Sequence, residues 1–253
     1  MRILYLGDIV GEGTIKVLKD NLERIKKENN INIVLANAEN VSGGLGLNEK
    51  NYKELKALGI AGMSMGNHTF SKNEIKSFID DATICRPANI NTNYGKEILY
   101  VKYNDKKIAI VNLLGRVYSN MLLDCPFRTM DRLLEEIDAD KIIVDFHADA
   151  TSEKKAFFYE FAGKVDAVIG THTHIQTADE EVYKNTCYLT DIGMNGPFDS
   201  VIGNDIDKII TRFRTGLYEK AGVAKSEFYR INGVILDLDN VNKITRINLK
   251  VRV

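Results

Sequence analysis

Several common chemistries lack their tools in this chain. Cysteine occurs three times, at the widely spaced Cys85, Cys125 and Cys187. An odd, scattered set argues against a disulfide framework or a CxxC zinc site and leaves buried free thiols. No apolar run approaches the ~20 residues that span a bilayer. The opening Met1-Arg2-Ile3-Leu4-Tyr5-Leu6-Gly7-Asp8 goes straight into a strand pattern, without the apolar segment and cleavage site of a secretory leader. Cytoplasmic residence with no membrane partner is the expectation. A formal net charge of −1 provides no global field toward long nucleic acids. Histidine is scarce as well, with four in 253 residues, so where those four fall carries information.

What is present is ordinary for a globular protein: 44% hydrophobic and 27% charged residues. No repeat array, low-complexity stretch or linker divides the chain, so a single domain over residues 1–253 is the simplest organisation. Residues 2–6 read as a strand ending in Gly7-Asp8. From Thr14 the pattern turns helical, with Ile15, Leu18, Leu22 and Ile25 on one face and Asn29-Asn30 closing it. Residues 31–36 form a second strand, running into Asn37-Ala38-Glu39-Asn40. Asn48 caps a helix to residue 58, and residues 60–65 form a third strand ending in Gly66-Asn67-His68. Ser71 is placed to cap a short helix to residue 80. This is the βαβ rhythm of a mostly parallel sheet.

The middle of the chain reads differently. Residues 99–103 and 108–113 flank Asn104-Asp105-Lys106 as an antiparallel hairpin, and residues 229–237 and 244–253 form another. Between them lie a long connection from Gly115 to Pro126, a helix over 130–137 and a strand over 141–146 that ends in His147. An amphipathic helix follows, opened by Ser152-Glu153 and carrying Phe157, Phe158 and Phe161. After His174 the chain is polar as far as Cys187, and residues 205–213 are helical. The stretch Val165-Asp166-Ala167-Val168-Ile169-Gly170-Thr171-His172-Thr173-His174 begins as a buried strand. With the chain extended past Gly170, His172 and His174 point to one side.

Every histidine thus stands at a strand end. Asp8, Glu39-Asn40, Asn67-His68, His147, and His172 with His174 share that placement. In a parallel sheet such ends lie on one edge, where α/β proteins build their sites. Imidazole, carboxylate and amide oxygen suit Mn²⁺, Fe and Zn²⁺ rather than thiophilic metals. Two ions about 3.5–4 Å apart, bridged by a carboxylate such as Glu39, clamp a phosphoryl group for in-line displacement. One uncoordinated histidine is then free to protonate the leaving oxygen. Each element alone also has a structural reading: a turn for Gly7-Asp8, a loop or cap pair for Glu39-Asn40, surface histidines for the rest. The glycine-rich Gly43-Gly44-Leu45-Gly46 lacks the lysine of a P-loop and the spacing of a dinucleotide fingerprint. It reads as a tight backbone path beside Glu39 and Asn40. Arg116 is a candidate to grip a phosphate oxygen if its loop folds over the site, against a plain surface arginine. Tyr118 and Phe198 are candidates for base stacking, against packing roles.

The frame of Gly7-Asp8, Glu39, Gly66-Asn67-His68, a distal histidine and Gly170-Thr171-His172-Thr173-His174 resembles the calcineurin-like metallophosphoesterase superfamily. Two positions depart from its usual motifs. Val10 stands where Asp-x-His has its histidine, and Asn37-Ala38-Glu39-Asn40 stands where Gly-Asp-x-x-Asp-Arg-Gly is usual. Those departures are the pattern of one branch, the YmdB-type cyclic-nucleotide phosphodiesterases, which the chain resembles over nearly its full length. Gly7-Asp8-Ile9-Val10-Gly11, Ala38-Glu39-Asn40, Arg86-Pro87-Ala88-Asn89, Asp145-Phe146-His147 and Thr190-Asp191-Ile192-Gly193-Met194 carry the likeness, with the strand ends above and Gln176-Thr177-Ala178-Asp179. Asp149 replaces a common glutamate, and Phe70-Ser71 a common Trp-Asp.

The resemblance implies an α/β fold, a four-layer αββα sandwich with mixed sheets. It implies that Asp8, Glu39 and His174 hold one ion with Asn40 near it, that Glu39 bridges, and that Asn67, His147 and His172 hold the second. His68 is the implied general acid and water the nucleophile. The implied metals are Fe or Mn, with Zn compatible. The implied substrate is a small cyclic nucleotide, 2′,3′-cyclic AMP among them, and homo-oligomers are common in the branch. A phosphomonoesterase or protein phosphatase uses the same clamp, and a non-enzymatic metal- or nucleotide-binding regulator retains the same residues. All these readings stay open at the level of sequence.

Overall fold

A computed structural model describes residues 1–253. The chain opens with β1 (Arg2–Leu6), the two-residue β2 (Asp8–Ile9), α1 (Gly13–Asn29), β3 (Ile33–Asn37), α2 (Glu49–Ala57) and β4 (Ile60–Ser64). α1 buries the Ile15, Leu18, Leu22 and Ile25 stripe and ends at Asn30, which takes a left-handed φ of 53°. The Asn48 side chain accepts the Asn51 backbone N–H at 2.8 Å, as its capping role requires. The third unit departs from expectation. In place of a helix capped by Ser71 there is one 3₁₀ turn, Asn73–Ser77, and the Ser71 hydroxyl lies 3.4 Å from His68 Nδ1. Of this segment's apolar residues only Ile75 and Ile79 are fully buried, and a single turn is enough to dock them.

The chain continues through β5 (Ile84–Cys85), the hairpin β6 (Ile98–Tyr103) and β7 (Lys106–Leu114), α3 (Pro126–Glu136), β8 (Lys141–His147), α4 (Thr151–Phe161) and β9 (Ala167–Thr171). It closes with β10 (Glu181–Tyr183), β11 (Thr186–Leu189), β12 (Met194–Pro197), α5 (Ile206–Thr215), β13 (Phe228–Asp237) and β14 (Lys243–Arg252). Besides the two-residue β5, the strands β10 and β12 escape the sequence pattern. β10 lies in the stretch read as merely polar, because it is an exposed edge strand with no apolar face to bury. β12 contains Gly196 and Pro197, residues that argue against a strand, and is tolerated because it makes only short pairings with β2 and β13.

The strands form two sheets. One runs β2-β12-β13-β1-β3-β4-β5 with β14 added along β13, and the other runs β10-β11-β9-β8-β7-β6. Side-chain alternation separates three apolar layers. Leu4 and Leu6 of β1, with Val34 and Ala36 of β3, pack against α1 and Leu55 of α2. Ile3, Tyr5, Ile33 and Leu35, one residue out of phase, meet Ile110, Ile143, Ala167 and Ile169 of the second sheet. Val111, Val144, Phe146 and Val168 face outward onto Met130 and Leu133 of α3 and Phe157, Phe158 and Phe161 of α4. The result is the αββα sandwich with mixed sheets. No helix is long and apolar enough to cross a membrane.

The expectation of one sheet edge needs correction. The strand ends bearing Asp8, Glu39 and Asn67 belong to the first sheet, and those bearing His147 and His172 to the second. β1, β3 and β4 run parallel, as do β8 and β9, so each group presents its carboxyl ends together. The site forms where the two sets meet at one end of the sandwich.

Candidate metal centre

His147, the last residue of β8, lies at the middle of the site and is almost fully buried. Its Nε2 is 3.0 Å from Glu39 Oε1, 3.0 Å from Asn67 Oδ1 and 3.0 Å from His172 Nδ1. Glu39, His147 and His172 place one ligand atom each within 4.8 Å of one another. Gly66 makes this approach possible: a Cβ there would overlap the Glu39 carboxylate and the His147 ring. A second group lies on the other side of Glu39. Asn40 Nδ2 is 3.2 Å from Glu39 Oε1, 3.2 Å from His174 Nε2 and 3.5 Å from Asp8 Oδ1, and His174 Nε2 is 3.8 Å from Asp8 Oδ1. The His172 backbone N–H donates to Asp8 Oδ2 at 3.2 Å and ties the two groups together. Asp8, Glu39, Asn40, Asn67, His147, His172 and His174 therefore meet at one end of the sandwich.

A buried polar chain orients His147. Its Nδ1 is 2.8 Å from Thr171 Oγ1, and the Thr171 hydroxyl donates to Asp145 Oδ1 at 2.5 Å. Thr171 must then accept from His147, which puts a proton on Nδ1 and turns the Nε2 lone pair toward the site. Asp145 is held in turn by the Ser64 hydroxyl at 2.5 Å and the Asn37 amide at 3.1 Å. His174 is set the same way, its Nδ1 lying 2.9 Å from the Ile202 carbonyl oxygen. Sequence reasoning assigned no role to Asp145, although a carboxylate inside the apolar run Ile142-Ile143-Val144-Asp145-Phe146 is a visible signal.

The backbone carrying the two histidines does not stay extended past Gly170. β9 ends at Thr171, and His172 and His174 adopt φ values of 100° and 65°. Left-handed backbone costs a non-glycine residue about 1–2 kcal/mol. A buried ion pair offsets that cost. Lys154 Nζ donates to the Thr171 carbonyl oxygen at 2.8 Å and lies 3.0 Å from Asp191 Oδ2, which also accepts the Thr173 N–H at 3.0 Å. Breaking such a pair costs about 3–5 kcal/mol, enough to hold the turn in its strained form. Lys154 lies on the same face of α4 as Phe157, Phe158 and Phe161, and a lysine on that apolar face is the signal sequence reasoning passed over.

Four ligand atoms, Glu39 Oε1, Asn67 Oδ1, His147 Nε2 and His172 Nδ1, crowd together, and a cation among them would engage all four. Two cations suit that place. One is a proton: burial alone lowers the His147 pKa, but the Glu39 carboxylate overrides it and pushes it up to about 9. Burial likewise opposes Glu39, yet His147 outweighs it and holds that carboxyl down at about 2. Burial and then the His147 charge push His172 down to about 3, so it stays neutral. The other is a metal ion, for which this oxygen and nitrogen donor set suits a hard or borderline cation. Around Asp8, burial pushes the carboxyl up to about 6 against the pull of His174 and His147. There the Asn40 amide nitrogen points at three lone-pair atoms, and turning the amide over would offer its oxygen instead.

Two cavities flank the centre. One of about 410 Å³ is polar and lined by Glu39, Asn40, His68, Thr173, His174 and Asn204 among others. The His68 N–H donates to Glu39 Oε2 at 2.8 Å, and burial holds its imidazole below the ordinary value despite the pull of Glu39. The other, of about 270 Å³, runs from His147 and His172 to Tyr118 and Met121. Arg116 lines neither; it lies in a surface cavity with Arg128 and Arg132, beside Cys125. Phe198 is covered by Lys250 Nζ at 3.9 Å and by Arg230, a packing role on the β13–β14 hairpin. All three cysteines are free thiols.

Comparison with known proteins agrees with this geometry. A family profile described as YmdB-like protein matches residues 4–249. A 2′,3′-cyclic-nucleotide 2′-phosphodiesterase of Bacillus subtilis (strain 168) is 42% identical over 248 residues, covering 96% of this chain and 93% of that protein. The crystal structure of a novel phosphatase from Mycoplasma pneumoniae is 36% identical with a TM-score of 0.92, over 100% of this chain and 93% of that one. A hypothetical protein from Thermus thermophilus is 33% identical with a TM-score of 0.93, over 99% of both chains.

Proposed function

The chain belongs to the YmdB-like protein family, and from that premise we propose that it is a metal-dependent phosphodiesterase acting on 2′,3′-cyclic nucleotides. The observation that carries this reading is the convergence of three ligand atoms on His147 Nε2, beside a second carboxylate–histidine group that shares Glu39. Asn67, His147 and His172 with Glu39 would hold one ion, and Asp8, Asn40 and His174 with Glu39 the other. Iron, manganese and zinc all suit these donors, and the family resemblance implies iron or manganese. Such ions, when bound, polarise the phosphoryl oxygens and lower the pKa of water for attack at phosphorus.

The protein's own groups supply the rest. Asp145 and Thr171 keep the His147 lone pair facing inward. Glu39 Oε2 fixes the His68 backbone, and so places its imidazole on the rim of the polar cavity. There His68 gives its proton to the ribose oxygen that leaves as the ring opens.

Protein purified without added metal, analysed for bound metal and then assayed with Mn²⁺ or Fe²⁺, should open 2′,3′-cyclic AMP to a monophosphate. His68→Ala should lose most of that activity, by roughly 10²–10⁴-fold, and keep its metal. Full activity in that variant would remove His68 from the acid role. The Mycoplasma relative's description as a phosphatase supports a second reading, phosphomonoester hydrolysis on the same clamp. Rates on a cyclic diester and a phosphomonoester, measured side by side, separate the two.

A further inference from the structure

We propose that the cavity between the His147–His172 pair and the loop of residues 115–123 is a nucleobase site, with Tyr118 as its stacking face. The proposal rests on the phosphodiesterase reading and adds recognition of the base to it.

The loop is built to hold a shape. Asn89, fully buried, staples its two ends. Its side chain accepts the Leu114 N–H at 2.8 Å and donates to the carbonyl oxygens of Leu114 at 2.9 Å and Asp124 at 3.1 Å, while its own carbonyl accepts the Asp124 N–H at 3.1 Å. Glu153, in the first turn of α4, clasps the start of the loop by accepting the backbone N–H groups of Arg116 at 2.9 Å and Val117 at 3.1 Å. Gly115 admits that clasp, since a Cβ there would meet Ala148 and the Glu153 carboxylate. Closed, end-stapled loops of this kind are frequently functional.

The tip of this anchored loop is apolar and uncovered. Tyr118 is 81% exposed and takes a left-handed φ of 63°. That strain is held in place by the anchors at either end. Tyr118, Val117 and Met121 form the apolar wall of the cavity, Ser119 and Asn120 add polar groups, and Asn67, His147 and His172 close the inner end. A nucleobase matches this pattern: flat apolar faces for stacking, a polar edge for hydrogen bonds, and a ribose phosphate that must reach the metal cluster. The opposite cavity has only Ile202 as an apolar lining residue and offers a base no stacking face. At about 270 Å³ the base cavity lies just below the ~300–1,000 Å³ of ordinary small-molecule sites, which leaves room for one base.

The chain contains no tryptophan, so Tyr118→Trp places a single fluorophore at the proposed stacking face. Titrating that variant with adenosine should quench its emission to saturation, while ribose should leave it unchanged. Unchanged emission with adenosine overturns the proposal. In steady-state assays with Mn²⁺, Tyr118→Ala should raise KM for 2′,3′-cyclic AMP by roughly ten- to a hundredfold with little change in kcat. Tyr118→Phe should restore KM, because a phenyl ring stacks as well. The base-free glycerol 1,2-cyclic phosphate should show no such rise; an equal loss on both diesters would mean that Tyr118 acts on the phosphate end and would overturn the base assignment. If the unaltered protein hydrolyses neither diester, the phosphodiesterase reading fails, and the tryptophan titration alone still decides whether the cavity takes a base.

Discussion

Around His147 Nε2 three ligand atoms sit at 3.0 Å each, whereas around His174 Nε2 the separations run from 3.2 Å at Asn40 to 3.8 Å at Asp8. Both groups share Glu39, and they differ in what stands behind them. His147 ends a central strand and is locked through Thr171, Asp145, Ser64 and Asn37, all buried side chains of the two sheets. His174 lies on a left-handed turn and leans on the carbonyl of Ile202, itself a loop residue with a φ of 45°. The group centred on the strand residue His147 is therefore drawn into near-contact before any ion arrives, and the group around the turn residue His174 is left slack. Preorganisation lowers the cost of binding, so the His147 group should fill first and more tightly than the His174 group.

The largest disturbance should come from Glu39→Gln, which strikes both groups at once. Metal analysis should show loss from both, and phosphodiesterase activity should fall by more than about a hundredfold, beyond the 10–100-fold typical of residues one bond further out. Lys154→Met leaves Asp191 buried and unpaired and frees the turn that carries His172 and His174. Urea unfolding should show about 3–5 kcal/mol less stability, again without distinguishing the groups. Thr171→Val is the variant that does distinguish them. It removes the tether on His147 Nδ1, and metal titration should show roughly 10–100-fold weaker binding at the His147 group with the His174 group little changed. Equal weakening at both would mean the two are not separately organised.

Taken over a single pH unit, the smallest effect is a slope with pH. In the metal-free protein His147 keeps its proton up to about 9, and an ion can enter only as that proton leaves. Affinity at this group should therefore rise about tenfold per pH unit toward about 9 and then level off. Asp8, pushed up to about 6, is already ionised above that pH and adds no such slope between 6 and 9. Calorimetry in buffers of different ionisation enthalpy should find about one proton released at the tighter site at pH 7.5. Release from the weaker site instead would reverse the assignment.

The elements with strong apolar periodicity are legible from the chain alone: β1, α1, β3, β4, the β6–β7 hairpin, β8 and β9. Local pattern decides them, because one buried stripe or run suffices to specify each. β10 and β12 are not legible, since the first has no apolar face and the second takes its strand form only from the neighbours it pairs with. The metal-ligand candidates were readable as residue types at strand ends. Their supporting side chains were less so, because Asp145, Lys154 and Asp191 look out of place until the partner that satisfies each is known.

By itself the sequence determined which residues could serve a metal: all four histidines, with Asp8, Glu39, Asn40 and Asn67, stand where strands stop and polar turns begin. Tertiary structure alone decided that these strand ends belong to two sheets, that His172 and His174 turn through left-handed backbone instead of running on extended, and that Tyr118, not Arg116, lines a cavity beside the centre. The physical reason is range. Burial patterns and turn chemistry act within a few residues of chain, but the pairing of His147 with Glu39, or of Lys154 with Asp191, joins residues that only packing of the sandwich brings within 3.0 Å.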